Sequence, residues 1–144
     1  MENQEATCEL CRSDGGEVLW RDAHMRVVWA PQPEHPGFCR VIQRRHVKEM
    51  TDLTAQERSR LMVGVFAVEQ ALRDVLQPDK INLASFGNVV PHLHWHVIAR
   101  FSDDPHFPDP VWGARRDGRR RPVPADFVER MRAVLDRLCS KRER

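Results

Sequence analysis

Asn88-Val89-Val90-Pro91-His92-Leu93-His94-Trp95-His96-Val97-Ile98-Ala99-Arg100-Phe101 sets histidine at positions 92, 94 and 96, with Leu93, Trp95 and Val97 interleaved. Alternation with period two predicts a half-buried strand. Residues i, i+2 and i+4 of a strand share a face, so the three imidazoles are expected in one row while Leu93, Trp95 and Val97 face a core. Imidazole titrates near physiological pH and serves as nucleophile, proton carrier or metal ligand, so this row suits chemistry better than packing. The strict interleaving and the interior position argue against a retained tag or a solvated surface cluster.

Working back from this strand, Ile81 to Phe86 alternates apolar and small polar residues and reads as its partner, with Gly87-Asn88 as the turn of a hairpin. Earlier, Thr54-Ala55-Gln56-Glu57 fits a capping box, and Leu61, Val65, Val68, Leu72 and Val75 follow at helical steps until Pro78. That stripe is expected to pack on the sheet. Val18 to Trp20, Met25 to Ala30 and Phe38 to Gln43 read as three strands of an antiparallel meander, broken by Pro31, Pro33, Pro36 and Gly37. Residues 1 to 17 form a polar knuckle with Cys8-Glu9-Leu10-Cys11 and the turn Asp14-Gly15-Gly16. Beyond Phe101, a proline-rich and then arginine-rich stretch over 102–123 is expected as a long loop, ordered at first and then mobile. Residues 124–140 hold a final amphipathic helix with Phe127, Met131, Val134 and Leu138 on one stripe.

At 144 residues the chain supports a single α+β domain with one core. The net charge is +2, but Arg115, Arg116, Arg119, Arg120 and Arg121 crowd one segment, a local basic patch. No aromatic-interleaved platform accompanies it, so nucleic-acid binding is not expected. No apolar run is long enough for a bilayer, and Met1-Glu2-Asn3-Gln4-Glu5 lacks the parts of a secretory signal, so a cytoplasmic, membrane-free protein is expected. Four cysteines are few for a disulfide scaffold.

The Cys8-x-x-Cys11 spacing lets two thiolates reach one zinc ion, which needs two further ligands, with histidines 24, 35, 46, 92 and 106 as candidates. The histidine row has two chemical readings: a catalytic metal with an open position, or one imidazole attacking an electrophile while a neighbour manages protons. No acidic residue adjoins the row to serve the first; the nearest downstream are Asp103 and Asp104. A phosphate-cradling glycine loop of the kinase or ATPase type is absent, although the backbone of Gly87 and Asn88 can present N–H groups to an anion.

His92-Leu93-His94-Trp95-His96-Val97-Ile98 resembles the motif of the histidine triad superfamily. Pro36-Gly37 before a strand, Arg44-Arg45-His46 at that strand's end, a long helix and the strand-turn-triad unit follow in the family's order over about residues 8–101. The resemblance implies a five-stranded antiparallel sheet, a homodimer, and action on nucleoside phosphates joined to another group: dinucleoside polyphosphates, phosphoramidates or nucleotide sugars. It makes His94 the nucleophile on the α-phosphorus, giving a nucleotidyl-histidine intermediate, and His96, if protonated, the group that meets the phosphate and the departing oxygen. It also implies a structural zinc ion shared by Cys8, Cys11, His46 and His92. Asn88, Gly87, Asn82 and Trp112 are the candidate substrate contacts. The chain departs from the family at Asn88 and Val89, where many members have glutamine and then serine or threonine. It also has Phe38 for a histidine, and Ala30 for an acidic or amide residue facing the ribose. Hydrolysis of dinucleoside polyphosphates is expected in preference to phosphorolysis. Two rival readings are a nucleotide-binding regulatory protein with little turnover, and a zinc hydrolase with the metal on the triad.

Overall fold

The computed structural model describes residues 4–140; Met1 to Asn3, part of the stretch read for a signal, lie outside them. Two short helical turns, α1 (Gln4–Thr7) and α2 (Glu9–Arg12), build the knuckle and lead into β1 (Glu17–Arg21), β2 (Met25–Trp29) and β3 (Phe38–Gln43). A 3-10 turn (Met50–Asp52) precedes α3 (Ala55–Leu76), then β4 (Lys80–Ala84), β5 (His94–Arg100) and α4 (Phe127–Ser140). The five strands form one antiparallel sheet in the order β1-β2-β3-β5-β4. The histidine strand is therefore interior to the sheet, clasped between β3 and β4. Among the described residues no helix is long and apolar enough to cross a membrane.

The predicted capping box forms: the Glu57 N–H donates to Thr54 Oγ1 at 3.2 Å and the Thr54 N–H to Glu57 Oε1 at 3.0 Å, satisfying two donors at the start of α3. Leu61, Val65, Val68 and Leu72 are fully buried, as a stripe facing a sheet requires. The back of the sheet meets this stripe with Val27, Cys39, Val41 and Val97, and Phe127, Met131 and Leu135 of α4 complete the same core. Gly64 allows the approach, since a Cβ there would run into Met25 Sδ. The front face carries a smaller apolar cluster of Cys8, Leu10, Val28 and Ile42 under the knuckle, and beside it the site residues.

Three expectations change. The strand begins at His94 and not at His92, so two of the three histidines share the strand and His92 belongs to the segment before it. Gly87-Asn88 is not a two-residue turn: residues 85–93 separate β4 from β5, with Pro91 in the middle. The arginine-rich segment is pinned by specific partners. Arg121 pairs with Asp103 at 3.0 Å, Arg116 with Asp109 at 2.8 Å and Arg115 with Glu34, while the Arg116 and Arg119 N–H groups donate to the carbonyls of Pro105 and Asp103. These exposed pairs are individually weak, and they offset the charge of Arg115, Arg116 and Arg121, while Arg120 Nε donates to the Pro33 carbonyl.

Candidate active site and metal cluster

His94 and His96 are adjacent same-face residues of β5, each only 7% exposed, with ring centroids 4.9 Å apart. Their register places Ile42 and Arg40 of β3 directly across from them, and Ala84 of β4 beside His96. His94 Nδ1 lies 2.6 Å from the His92 carbonyl oxygen, which can only accept, so Nδ1 carries the proton and the lone pair sits on Nε2. Gly87 adopts φ +67° and passes close enough that a Cβ there would lie 3.9 Å from His94 Cε1. The positive φ is what favours glycine here, since a Cβ would make only an ordinary contact with the ring.

His96 is covered by aromatic rings. Phe38 stands edge-on at 5.3 Å, and the Trp112 indole at 5.1 Å, itself packed on Phe86 at 4.6 Å. Trp112 is thus brought to the site by the segment after β5 although 16 residues of sequence separate it from His96. Burial first, then His94 and Arg40, push the His96 pKa down to about 4, and its buried Nδ1 has no partner. Burial thus favours the neutral imidazole of His96 at pH 7. Burial likewise lowers the pKa of His94, against the pull of its bond to the His92 carbonyl.

Of the other sequence candidates, Asn88 is exposed in the 85–93 loop, and Val89 is exposed as well. Asn82 lies on the triad face of β4, but its Oδ1 already accepts from Arg100 Nη1 at 2.7 Å. Ala30 is bound through its backbone N–H to the Phe38 carbonyl. Arg40 and Phe86, which the sequence reading did not single out, join the site.

His92 turns away from this pair. Its Nε2–H donates to the Gln43 carbonyl at 2.6 Å, which leaves Nδ1 as the lone-pair nitrogen. That nitrogen is 3.4 Å from both Cys8 Sγ and Cys11 Sγ and 3.2 Å from His46 Nδ1, and Cys11 Sγ is 3.4 Å from His46 Nδ1. Ligands about 2.0–2.3 Å from a common centre are separated by about these distances in a tetrahedron, so the four residues can hold one metal ion. Loss of solvation at the cluster, then the neighbouring Cys8, push the Cys11 thiol up to about 11. Two thiolates side by side need a cation. The fourth position being a ligand, the cluster leaves none open for substrate, and neither His94 nor His96 is part of it.

The HIT domain family matches residues 14–103. A protein of Mycobacterium tuberculosis named AP-4-A phosphorylase is 30% identical over 117 residues, covering 73% of this chain and 60% of that protein. A bis(5'-nucleosyl)-tetraphosphatase (asymmetrical) of Schizosaccharomyces pombe is 30% identical over 95 residues, 62% of this chain and 52% of that protein. The chain thus spans between about half and three fifths of these relatives. Among solved structures, a histidine triad protein of Bradyrhizobium japonicum superposes with a TM-score of 0.69 at 28% identity, over 88% of this chain and 92% of that one. A zinc-bound histidine triad family protein of Mycobacterium smegmatis shares the fold with a TM-score of 0.63 at 24% identity, over 95% and 99% of the two chains. With the ordered pair His94 and His96 on an interior strand and a matching domain over most of the sheet, the chain belongs to the histidine triad, or HIT domain, family.

Proposed function

We propose that this protein transfers a nucleotidyl group from a dinucleoside polyphosphate or a related nucleotide conjugate, with His94 as the nucleophile. The observation that carries the reading is the 2.6 Å bond from His94 Nδ1 to the His92 carbonyl, which fixes the tautomer and leaves Nε2, outside the metal cluster, as the attacking nitrogen. An uncharged nitrogen approaches a phosphorus shielded by negative oxygens more readily than an anion does. In the first step the Nε2–P bond forms and the bond from phosphorus to the leaving oxygen breaks. In the second an acceptor oxygen, of water in the favoured reading, bonds to phosphorus as the N–P bond breaks and returns its electron pair to Nε2, and the water's proton passes to His96, left neutral by its donation in the first step. A phosphate brought against neutral His96 raises its proton affinity, so substrate binding itself equips His96 to donate to the departing oxygen. Gly87 and Asn88 present backbone to the phosphate, Trp112 closes over the pair, and Asn82 borders the entrance. The names of the two curated relatives support the substrate class; a homodimer is part of the same proposal.

Brief incubation with a dinucleoside tetraphosphate labelled at the α-phosphate, followed by alkaline quench and peptide mapping, is expected to place an acid-labile nucleotide on His94. Label on another residue, or turnover with no label on the protein, would refute the covalent route.

Zinc is the proposed ion of the Cys8, Cys11, His46 and His92 cluster, where it would tie the knuckle to the segment entering β5 and so hold the His92 carbonyl against His94. Cys8→Ser is expected to lose about one equivalent of zinc by elemental analysis and to unfold at lower temperature, because ligand loss removes binding energy that is also folding energy. Full retention of the metal by the variant would place the ion elsewhere.

A further inference from the structure

The front face of the sheet carries three arginines on β2, β3 and β5, and two are fully employed. Arg26 donates to the carbonyls of Leu10, Ser13 and Asp14, and Arg100 is held by Asp104 and Asn82. Arg40 is different. It is half-buried, its Nη1 donates at 3.2 Å to the Gly15 carbonyl, and its Nε is buried with no partner. Among the described residues no carboxylate forms an ion pair with it. Glu9 favours the Arg40 charge without forming an ion pair with it, a partly desolvated guanidinium with an unpartnered N–H keeps a donor to spare, and an ordering of the Gly15 loop by one long bond does not require a cation. The position adds a second fact: Arg40 is the residue directly opposite His96 in the β3–β5 register, on the face that also carries His94.

We infer that Arg40 is a substrate-binding residue whose guanidinium contacts non-bridging oxygens of the phosphate positioned over His94 and His96. This rests on the nucleotidyl-transfer reading and names the side chain that recognises its charge. The planar donor set of an arginine suits phosphate oxygens, and the unpartnered Nε leaves one donor already desolvated. The positive charge of Arg40 favours an anionic ligand at this position, and the phosphate in turn offsets the effect of Arg40 on proton uptake at His96.

Affinity for adenosine 5'-monophosphate and for adenosine, measured by calorimetry on wild type, Arg40→Gln and Arg40→Lys, tests this without requiring turnover. Arg40→Gln is expected to weaken monophosphate binding by about tenfold to a hundredfold, the range of a charge-assisted hydrogen bond, and to leave adenosine unchanged. Monophosphate affinity within about twofold of wild type in the folded variant would overturn the inference; the twofold margin is well below one such bond. Should Arg40→Gln fail to fold, the Nε–Hε resonance of Arg40 in the wild-type protein, identified by its absence in Arg40→Lys, decides. It is expected to shift on addition of the monophosphate and not of adenosine, and a resonance that stays in place under saturating monophosphate refutes the contact. Because binding and the His94 adduct are separate readouts, a missing adduct condemns the covalent route while the monophosphate comparison still judges Arg40.

Discussion

Replacing His94 by Asn is expected to lower kcat/KM on a dinucleoside polyphosphate by on the order of a thousandfold or more, the scale on which enzymes fail when a covalent nucleophile is removed. Asparagine is the informative substitution. Its amide can keep a donor toward the His92 carbonyl, where His94 Nδ1 now sits at 2.6 Å, and it places no nucleophilic nitrogen where Nε2 stood. The fold and the affinity for a nucleoside monophosphate should therefore persist, so the loss appears in kcat. That split separates this mechanism from its rivals. A binding protein with little turnover would show the same low rate before and after substitution. A hydrolase with its metal on the triad would lose metal with His94, whereas here the cluster draws only His92 from the row and metal content should not change. Turnover by His94→Asn at the parental rate would remove His94 from the chemistry.

How far the sequence could be read follows from which forces are local. The β3 bounds, Phe38–Gln43, and the start of α3 at the Thr54 and Glu57 box emerge as predicted because both are written in consecutive residues. So does the association of Cys8, Cys11, His46 and His92, although through the family resemblance and not through spacing, which left five histidines open. Period-two alternation misled at His92: the pattern of alternating side chains runs on through Leu93, but the cluster takes the His92 ring to one side and Pro91 interrupts the chain before it, so the ladder starts two residues later. The Gly87-Asn88 signal lies in the connection of a β4–β5 hairpin, as expected, but that connection runs over 85–93 and is not a two-residue turn. Arg40 and Trp112 depend on pairing between distant segments. Nothing around Arg40 says that β3 will lie against β5, and Trp112 is legible as a candidate contact but not in its seat against His96, because a run of prolines and charges reads as loop whether or not long-range bonds fasten it.

What fastens that segment gives the second large effect. Asp104→Asn is expected to destabilise the protein by about 3–5 kcal/mol at pH 7, the cost of leaving one member of a buried pair without the other, seen as a fall in melting temperature of about 10–15 °C. Arg100 is 2% exposed and Asp104 5%. The carboxylate takes Arg100 Nε at 2.8 Å and Nη2 at 3.0 Å, and also the backbone N–H groups of Phe101, His106 and Phe107. An asparagine keeps one acceptor but turns an NH2 group toward the guanidinium, so a buried cation loses its counter-ion and several donors compete for a single oxygen. The pH dependence has a definite sign. Burial raises the Asp104 pKa, but the Arg100 bonds and then the backbone donors outweigh it, and the carboxyl ends far below its ordinary value of 3.8. A depressed folded-state pKa contributes stability that is complete above the unfolded value and is lost as pH falls through the folded one. The gap between wild type and Asp104→Asn should accordingly be constant at neutral pH and close progressively below about pH 4; a gap that widened on acidification would show that the pair is not what holds this turn. The consequence reaches the active site because the same turn positions His106, whose Nδ1 lies 2.7 Å from His35 Nε2, and leads on to Trp112 over His96. Even at a temperature where the variant is folded, Trp112 should therefore be more quenchable by acrylamide than in wild type, and quenching equal to wild type would mean that the aromatic cover is held by the arginine pairs of the later segment and not by Asp104.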